Sequence, residues 1–264
     1  MKQFFASFVL FLFVGKANPL RAIQILALLF LPYAASSNTY TVTNTNSSGA
    51  GSFRQAIIDA NANPGADVIE FNIGGGGAHQ VDANFPGAVL NSDVTVDGTT
   101  QPGYSGTPLI EIILKFPSVQ GENVWIKGLA FNGTNISATS GTWSNLKVED
   151  CSFTQVYIGI IGYYGSDLQI INCHFDILNS GENIAILLEG IEENTLPKGV
   201  LAYGNTFDME YGSGLPYFYS LNLMEDGLLI GNQDVSGANI TIEDDAGFAS
   251  SPAGCVVMGD CHGV

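Results

Sequence analysis

Three stretches of the chain align without a gap at a spacing of 22 residues: Asn123 to Phe131, Asn145 to Phe153 and Asp167 to Phe175. A fourth, Gly199 to Phe207, follows after 32, which puts a ten-residue insertion into one loop. Shorter copies open at Asp93, Gly227 and Asn239. A period of this length marks one supersecondary unit stacked on copies of itself, because no such unit can bury its apolar face alone. Within each unit the apolar residues alternate (Val124, Ile126; Leu146, Val148; Leu168, Ile170; Val200, Ala202), the pattern of a strand with one face buried. After a turn at Lys127-Gly128, Glu149-Asp150, Ile171-Asn172 and Tyr203-Gly204, a second strand turns Leu129 and Phe131, Cys151 and Phe153, Cys173 and Phe175, and Asn205 and Phe207 inward. No helical stretch fits between units, so neighbouring strands come from successive coils, parallel and about 4.8 Å apart. Phe131, Phe153, Phe175 and Phe207 then form one aromatic stack. A leucine-rich repeat needs an L-x-x-L-x-L-x-x-N consensus that is absent, and a propeller needs longer blades. The fold class expected is all-β, a right-handed parallel β-helix.

The amino-terminal third adds a cap. Thr39 to Thr45 alternates as a strand, and Ser52 to Asn61 reads as a short capping helix. Ser52 is its N-cap, Gln55 completes a capping box, Ala56, Ile57 and Ala60 share a face, and Asn63-Pro64-Gly65 ends it. An amphipathic helix ahead of a solenoid covers the open end of its core. Upstream are two apolar runs, Phe4 to Gly15 and Ala22 to Leu31, each shorter than the ~20 residues of a spanning helix. Arg21 before the second run and Pro32-Tyr33-Ala34-Ala35-Ser36 after it have the layout of a cleavable signal peptide. The domain expectation is a signal peptide or amino-terminal anchor over 1–35, a cap over 36–65 and coils over 66–264.

Thr41 to Thr45, Gly51 to Ile57, Asp59 to Phe71 and Val96-Asp-Gly-Thr-Thr-Gln-Pro-Gly-Tyr104 together resemble the opening of CSLREA-type proteins. These are exported bacterial surface proteins of the pectate-lyase-like superfamily. The likeness covers roughly residues 39–115 closely and the later coils only generically. Gly51 stands where that motif opens with Cys, and Phe53 and Gln55 replace its Leu and Glu. The resemblance implies the β-helix fold and export, with a location in the secreted fraction or on the cell surface.

Charge narrows the partners. Charged residues are only 12% of the chain, and the formal net charge is −17. Residues 1–35 hold Lys2, Lys16 and Arg21 and no acid, so the remainder carries five bases against 25 acids, a net −20. Such a surface repels nucleic-acid phosphates and anionic lipid, which excludes nucleic acid as a partner and leaves membrane contact only through an uncleaved amino-terminal segment. It also repels acidic polysaccharides unless Ca²⁺ bridges them. Acidic turns such as Glu149-Asp150, Glu192-Glu193, Glu225-Asp226 and Glu243-Asp244-Asp245 offer weak Ca²⁺ ligands, but no loop has EF-hand spacing. No other cofactor is expected. Of the four cysteines, Cys151 and Cys173 belong to the repeat and are expected as buried free thiols. Cys255 and Cys261 are close enough in sequence to form a disulfide.

The resemblance implies that any catalysis would be that of polysaccharide lyases or hydrolases. A lyase needs a base, and beyond residue 35 the chain has only Arg54, Lys115, Lys127, Lys147 and Lys198, each read as surface. A hydrolase needs paired carboxylates across the scissile bond. Polygalacturonase-like enzymes place an Asp-Asp pair one coil before Gly-His-Gly; this chain has Asp244-Asp245 and then Cys261-His262-Gly263, without the accompanying Asn-Thr-Asp or Arg-Ile-Lys. Asp244, Asp245 and His262 are therefore the catalytic candidates, on an incomplete motif. Gly74 to Gly77 lacks the Lys-Ser/Thr of a phosphate loop and reads as flexible, and His174 reads as an exposed loner. Tyr157, Tyr163, Tyr164, Tyr217 and Tyr219 are the ligand-binding candidates, because exposed aromatics along a solenoid face stack on sugar rings. The function expected is carbohydrate binding or adhesion to another surface protein, without catalysis. A polysaccharide hydrolase or lyase, and a stalk of a larger surface assembly, are the alternatives.

Overall fold

The computed structural model describes residues 36–82, 89–91, 93–177, 184–189, 198–209, 217–222, 225–234, 242–243 and 256–258. Residues 1–35 and the candidates Asp244, Asp245, Cys255, Cys261 and His262 lie outside the described residues. The compact unit that holds all described residues begins at Ser36.

Among the described residues from Asp67 onward, the coils turn through three strands rather than two. The first sheet stacks Thr39–Val42, Asp67–Phe71, Val94–Asp97, Glu122–Lys127, Trp143–Glu149, Gly165–Ile171, Lys198–Tyr203, Glu225–Ile230 and Val256–Met258, in that spatial order. The second stacks His79–Asp82, Ile110–Ile113, Leu129–Asn132, Ser152–Val156, His174–Ile177, Thr206–Met209 and Gln233–Asp234. The third stacks Ile136–Ala138, Ile158–Tyr163, Ile184–Glu189, Tyr217–Asn222 and Ile242–Glu243. Neighbours are parallel and one coil apart, so the protein is a parallel β-helix.

Register follows the repeat. Val124, Leu146, Leu168 and Val200 align across the first sheet, and Phe131, Phe153, Phe175 and Phe207 across the second. The four rings stack with centroids 4.8, 4.7 and 5.2 Å apart and planes within 10°. Their amino-terminal continuation is Phe116, edge-on to Phe131 at 5.2 Å, and then Phe53 at 6.2 Å. Phe53 opens the one α-helix among the described residues, Phe53–Ala62, whose buried face is Phe53, Ala56, Ile57 and Ala60. The aromatic column thus runs unbroken from the capping helix into the coils. Only half of the expected capping box forms. Ser52 Oγ accepts from the Gln55 backbone N–H, but the Gln55 side chain donates to Asp59 and the Ser52 N–H donates to Gly49. The Gln55 carboxamide is drawn one turn ahead by a 2.8 Å charge-assisted bond to Asp59, while the Ser52 N–H is already satisfied by the Gly49 carbonyl at 3.1 Å.

The corner between the first two strands is made by residues in left-handed backbone: Gly128, Asp150, Asn172, Gly204 and Gly231. Only Gly, Asn and Asp take that conformation cheaply, which explains the residue types at each turn. Each corner N–H from Gly128 to Gly204 donates to the next coil at 3.0 Å, so the ladder runs through the bend without a gap. A second left-handed column explains why these repeats open on Asp, Asn or Gly: Asp93, Asn123, Asn145 and Asp167 have φ between 51° and 60°, and Gly199 has φ 67°. Asn145 donates to Asn123, and Asn123 to Asp93, both at 2.8 Å.

The third strand escaped the sequence reading because glycine breaks its alternation. Inward Gly159 gives its space to the Phe175 ring, which would lie 2.8 Å from a Cβ there. Gly162 and Gly165 similarly accommodate Trp143, whose indole N–H donates to the Tyr163 carbonyl at 2.7 Å.

Candidate functional site

Where the second strand turns into the third, three successive coils form an open groove of about 310 Å³. Its wall comes from Leu114-Lys115 on one coil, Gly133 to Asn135 on the next and Gln155 to Ile158 on the third. The corner residues Leu114, Gly133 and Gln155 all have positive φ, at 69°, 65° and 54°. For Leu this is a rare and strained backbone. The bond from the Lys115 N–H to the Ile113 carbonyl, 2.9 Å, closes a three-residue turn around Leu114. The turn holds the Leu114 side chain 65% exposed, and Tyr157 across the coils is 56% exposed. Among the described residues, Leu114 and Tyr157 are the two most exposed large apolar side chains, ahead of Tyr203 and Ile58.

The groove therefore presents two apolar surfaces, the carboxamides of Asn135 and Gln155, the hydroxyl of Thr134 and the ammonium of Lys115. No carboxylate or imidazole lines it, so it contains no acid–base pair. Its volume is at the small end of ligand sites, which run from about 300 to 1,000 Å³.

The tyrosine candidates are not gathered in one place. Tyr157 lines the groove; Tyr163 and Tyr164 lie at the far end of the strand Ile158–Tyr163, edge-to-face with each other at 6.5 Å. Tyr217 and Tyr219 pair with Ile184 and Ile186 on the third sheet, and their side chains lie outside the described residues. Of the basic residues, Lys127 and Lys147 are both engaged. Their ammonium groups lie over the Trp125 ring at 4.6 and 4.4 Å and pair with Asp97 at 2.7 Å and Glu149 at 2.9 Å. Arg54 is on the capping helix, and the Lys198 side chain lies outside the described residues. His174 is half-buried and hydrogen-bonds Thr206 on the next coil at 2.9 Å, which corrects the reading of an exposed loner.

Gly74 to Gly77 is likewise not a free loop. Buried Gln101 accepts from the Ile73 N–H and donates to the Ile73 carbonyl, each at 2.9 Å, and the Gly77 N–H donates to Pro102 at 3.0 Å. Thr100 receives the Phe71 N–H, and Asp97 caps Thr99. The Asp-Gly-Thr-Thr-Gln-Pro-Gly-Tyr stretch is thus a clamp between coils. At its end Tyr104 is held neutral, its pKa raised by burial first and then by the Asp150 carboxylate. Among the described residues no three His, Cys, Asp or Glu side chains converge on a metal position. Cys151 and Cys173 are buried and free, stacked on adjacent coils, and burial pushes the Cys173 thiol well up.

Sequence reasoning missed Leu114, Asn135 and Gln155. The period carried part of the signal: Gly133 and Gln155 are 22 residues apart and occupy the same corner. Comparison of the chain with family models, with curated proteins and with solved structures finds no match in any of the three.

Proposed function

We propose that this is an exported β-helix of the CSLREA type that binds a glycan in the corner groove and does not cleave it. The observation that carries this reading is the pairing of exposed Tyr157 and Leu114 with amide, hydroxyl and ammonium groups in a groove without carboxylates. An aromatic ring takes the apolar face of a sugar, and Asn135, Gln155 and Thr134 supply directional donors and acceptors for its hydroxyls. Lys115 gives the groove a positive point on a surface that is otherwise strongly acidic. Neutral glycans, or acidic ones bridged by Ca²⁺, are the ligands compatible with that surface. What supports secretion or display on the cell surface is the apolar run Ala22 to Leu31 and the small residues after it.

The test is a glycan panel read both for retention and for new reducing ends or unsaturated uronate. Retention without turnover is expected, weakened roughly tenfold by Tyr157→Ala, the loss of one stacking contact. Turnover that disappears in Asp244→Asn or His262→Ala would replace this reading with a hydrolase. Neither retention nor turnover across a broad panel would leave the stalk role.

A further inference from the structure

Asp67 opens the second strand of the first sheet and is only 2% exposed. Its Oδ1 accepts from the Asn38 N–H at 2.9 Å and from Asn63 Nδ2 at 2.8 Å, while its Oδ2 has no hydrogen-bond partner. No basic side chain pairs with it among the described residues. A buried carboxylate with one bare oxygen is costly, and native proteins rarely leave one so.

What lies beside it is the first turn of ordered chain. Asn63 Nδ2 also donates to the Ser36 carbonyl at 2.7 Å, so a single amide nitrogen bridges Ser36 and Asp67. Ser37 Oγ donates to the Ala66 carbonyl, and Val68 N–H to the Asn38 carbonyl at 2.9 Å. Gly65 (φ 140°) sits so close that a Cβ there would meet the Ser36 backbone oxygen at 2.5 Å. Residues 36–38 are therefore strapped onto 63–68, with the bare oxygen of Asp67 at the strap. The small-residue triplet Ala34-Ala35-Ser36, which follows the apolar run, puts a signal-peptidase cut next to Ser36 or Ser37.

We infer that export processing creates an amino terminus at Ser36 or Ser37 and that its α-ammonium group is the ion partner of Asp67. Hydrolysis of the peptide bond by the peptidase supplies both the new amine and the carboxyl end of the leaving segment, with water as the only co-reactant. The ammonium then neutralises the buried carboxylate at the head of the second strand, so the cap is completed only in the processed chain. The inference rests on the export part of the proposed function and is independent of what the groove binds.

The full chain is produced in an export-competent host, and its intact mass and terminal sequence are read. A start at Ser36 or Ser37 is expected. An exported chain starting elsewhere overturns the inference and leaves export standing; an uncleaved chain that never leaves the cytoplasm overturns both. On the processed protein, acylation of the terminal amine near neutral pH is followed by peptide mass spectrometry, with exposed Lys115 as internal control. Asp67→Asn is expected to speed terminal acylation about tenfold and leave Lys115 unchanged, because a one-unit change in amine pKa is a tenfold change in free amine. Equal rates overturn the pairing. Should Asp67→Asn fail to fold, the pH dependence of the rate in the unaltered protein decides: an amine pKa above the ordinary range of about 7.7–8.0 supports the pair, and a value within or below it overturns it.

Discussion

Phe153 shows what single residues contribute. It is fully buried, with one ring 4.8 Å above and another 4.7 Å below, so it belongs to two stacking contacts at once. Phe153→Asp buries an unpaired charge in the middle of that column and is expected to abolish cooperative folding, seen as loss of the thermal transition. Leu146→Ala and Leu168→Ala, each removing a 1%-exposed side chain, should each cost ~2–5 kcal/mol in denaturant unfolding. An unchanged midpoint in either series would mean the inward register is wrong. Gly165 is the opposite case, a residue needed for what it lacks. A Cβ there would come within van der Waals overlap of the Trp143 indole, so Gly165→Ala should destabilise by ~1–3 kcal/mol although only a methyl is added. Trp143→Leu in the same background should recover part of the loss.

At the scale of elements, the corners matter more than the strands. The strands are generic alternating segments, but their order is held by side chains that tie one coil to the next: Gln101 on Ile73, Asn205 on Ile170 and Cys173, Asn232 on Ala202. Asn205 and Asn232 are completely buried yet satisfied, because each side chain bridges the backbone of neighbouring coils where the bend would otherwise leave groups bare. The segment after the strand Val94–Asp97 supplies a titratable probe of such a clamp. Tyr104 has its pKa raised in the folded state, by burial first and by nearby Asp150 second, from the ordinary 10.0. The folded chain therefore holds this proton more tightly than the unfolded chain. The stabilisation is complete below the unfolded value and is lost as pH rises through about 10 towards the folded pKa. Chemical denaturation across pH 8–11 should show stability falling in that window, and Tyr104→Phe should flatten the fall. A slope equal in the two proteins would place the phenol outside the clamp.

For the molecule as a whole, a β-helix is close to one-dimensional, each coil touching only its neighbours. The continuous aromatic column from Phe53 to Phe207 makes coupling between coils strong, so the buried thiols report on it. Cys151 and Cys173 are on adjacent central coils and are each at most 2% exposed. Both should stay unreactive to a thiol reagent in the native protein and react together on denaturation. Two thiols appearing only in denaturant are expected, with Cys255 and Cys261 bridged. Four, or none, would contradict the assignment. The same one-dimensionality repeats each corner position once per coil.

Which residues stack and which point inward was already legible in the spacing of the repeat. In a solenoid a residue's neighbour is one period away, so the spacing of Asn123, Asn145 and Asp167 is already a contact map of the first sheet. The phenylalanine column, the left-handed corners and the free buried thiols all follow from that spacing and from strand alternation. The tertiary structure alone decided the third sheet, the groove and the fate of the tyrosines. Glycines at 159 and 162 hide a strand from any hydrophobic pattern, because the volume they leave is filled by Phe175 and Trp143 from other coils. Tyr157 was legible as a candidate, but that it stands in the groove while Tyr163 and Tyr164 stand a strand away depends on where the chain bends. Leu114 carried no signal at all: its exposure comes from a strained backbone angle, and a sequence specifies side chains far more directly than it specifies the sign of φ.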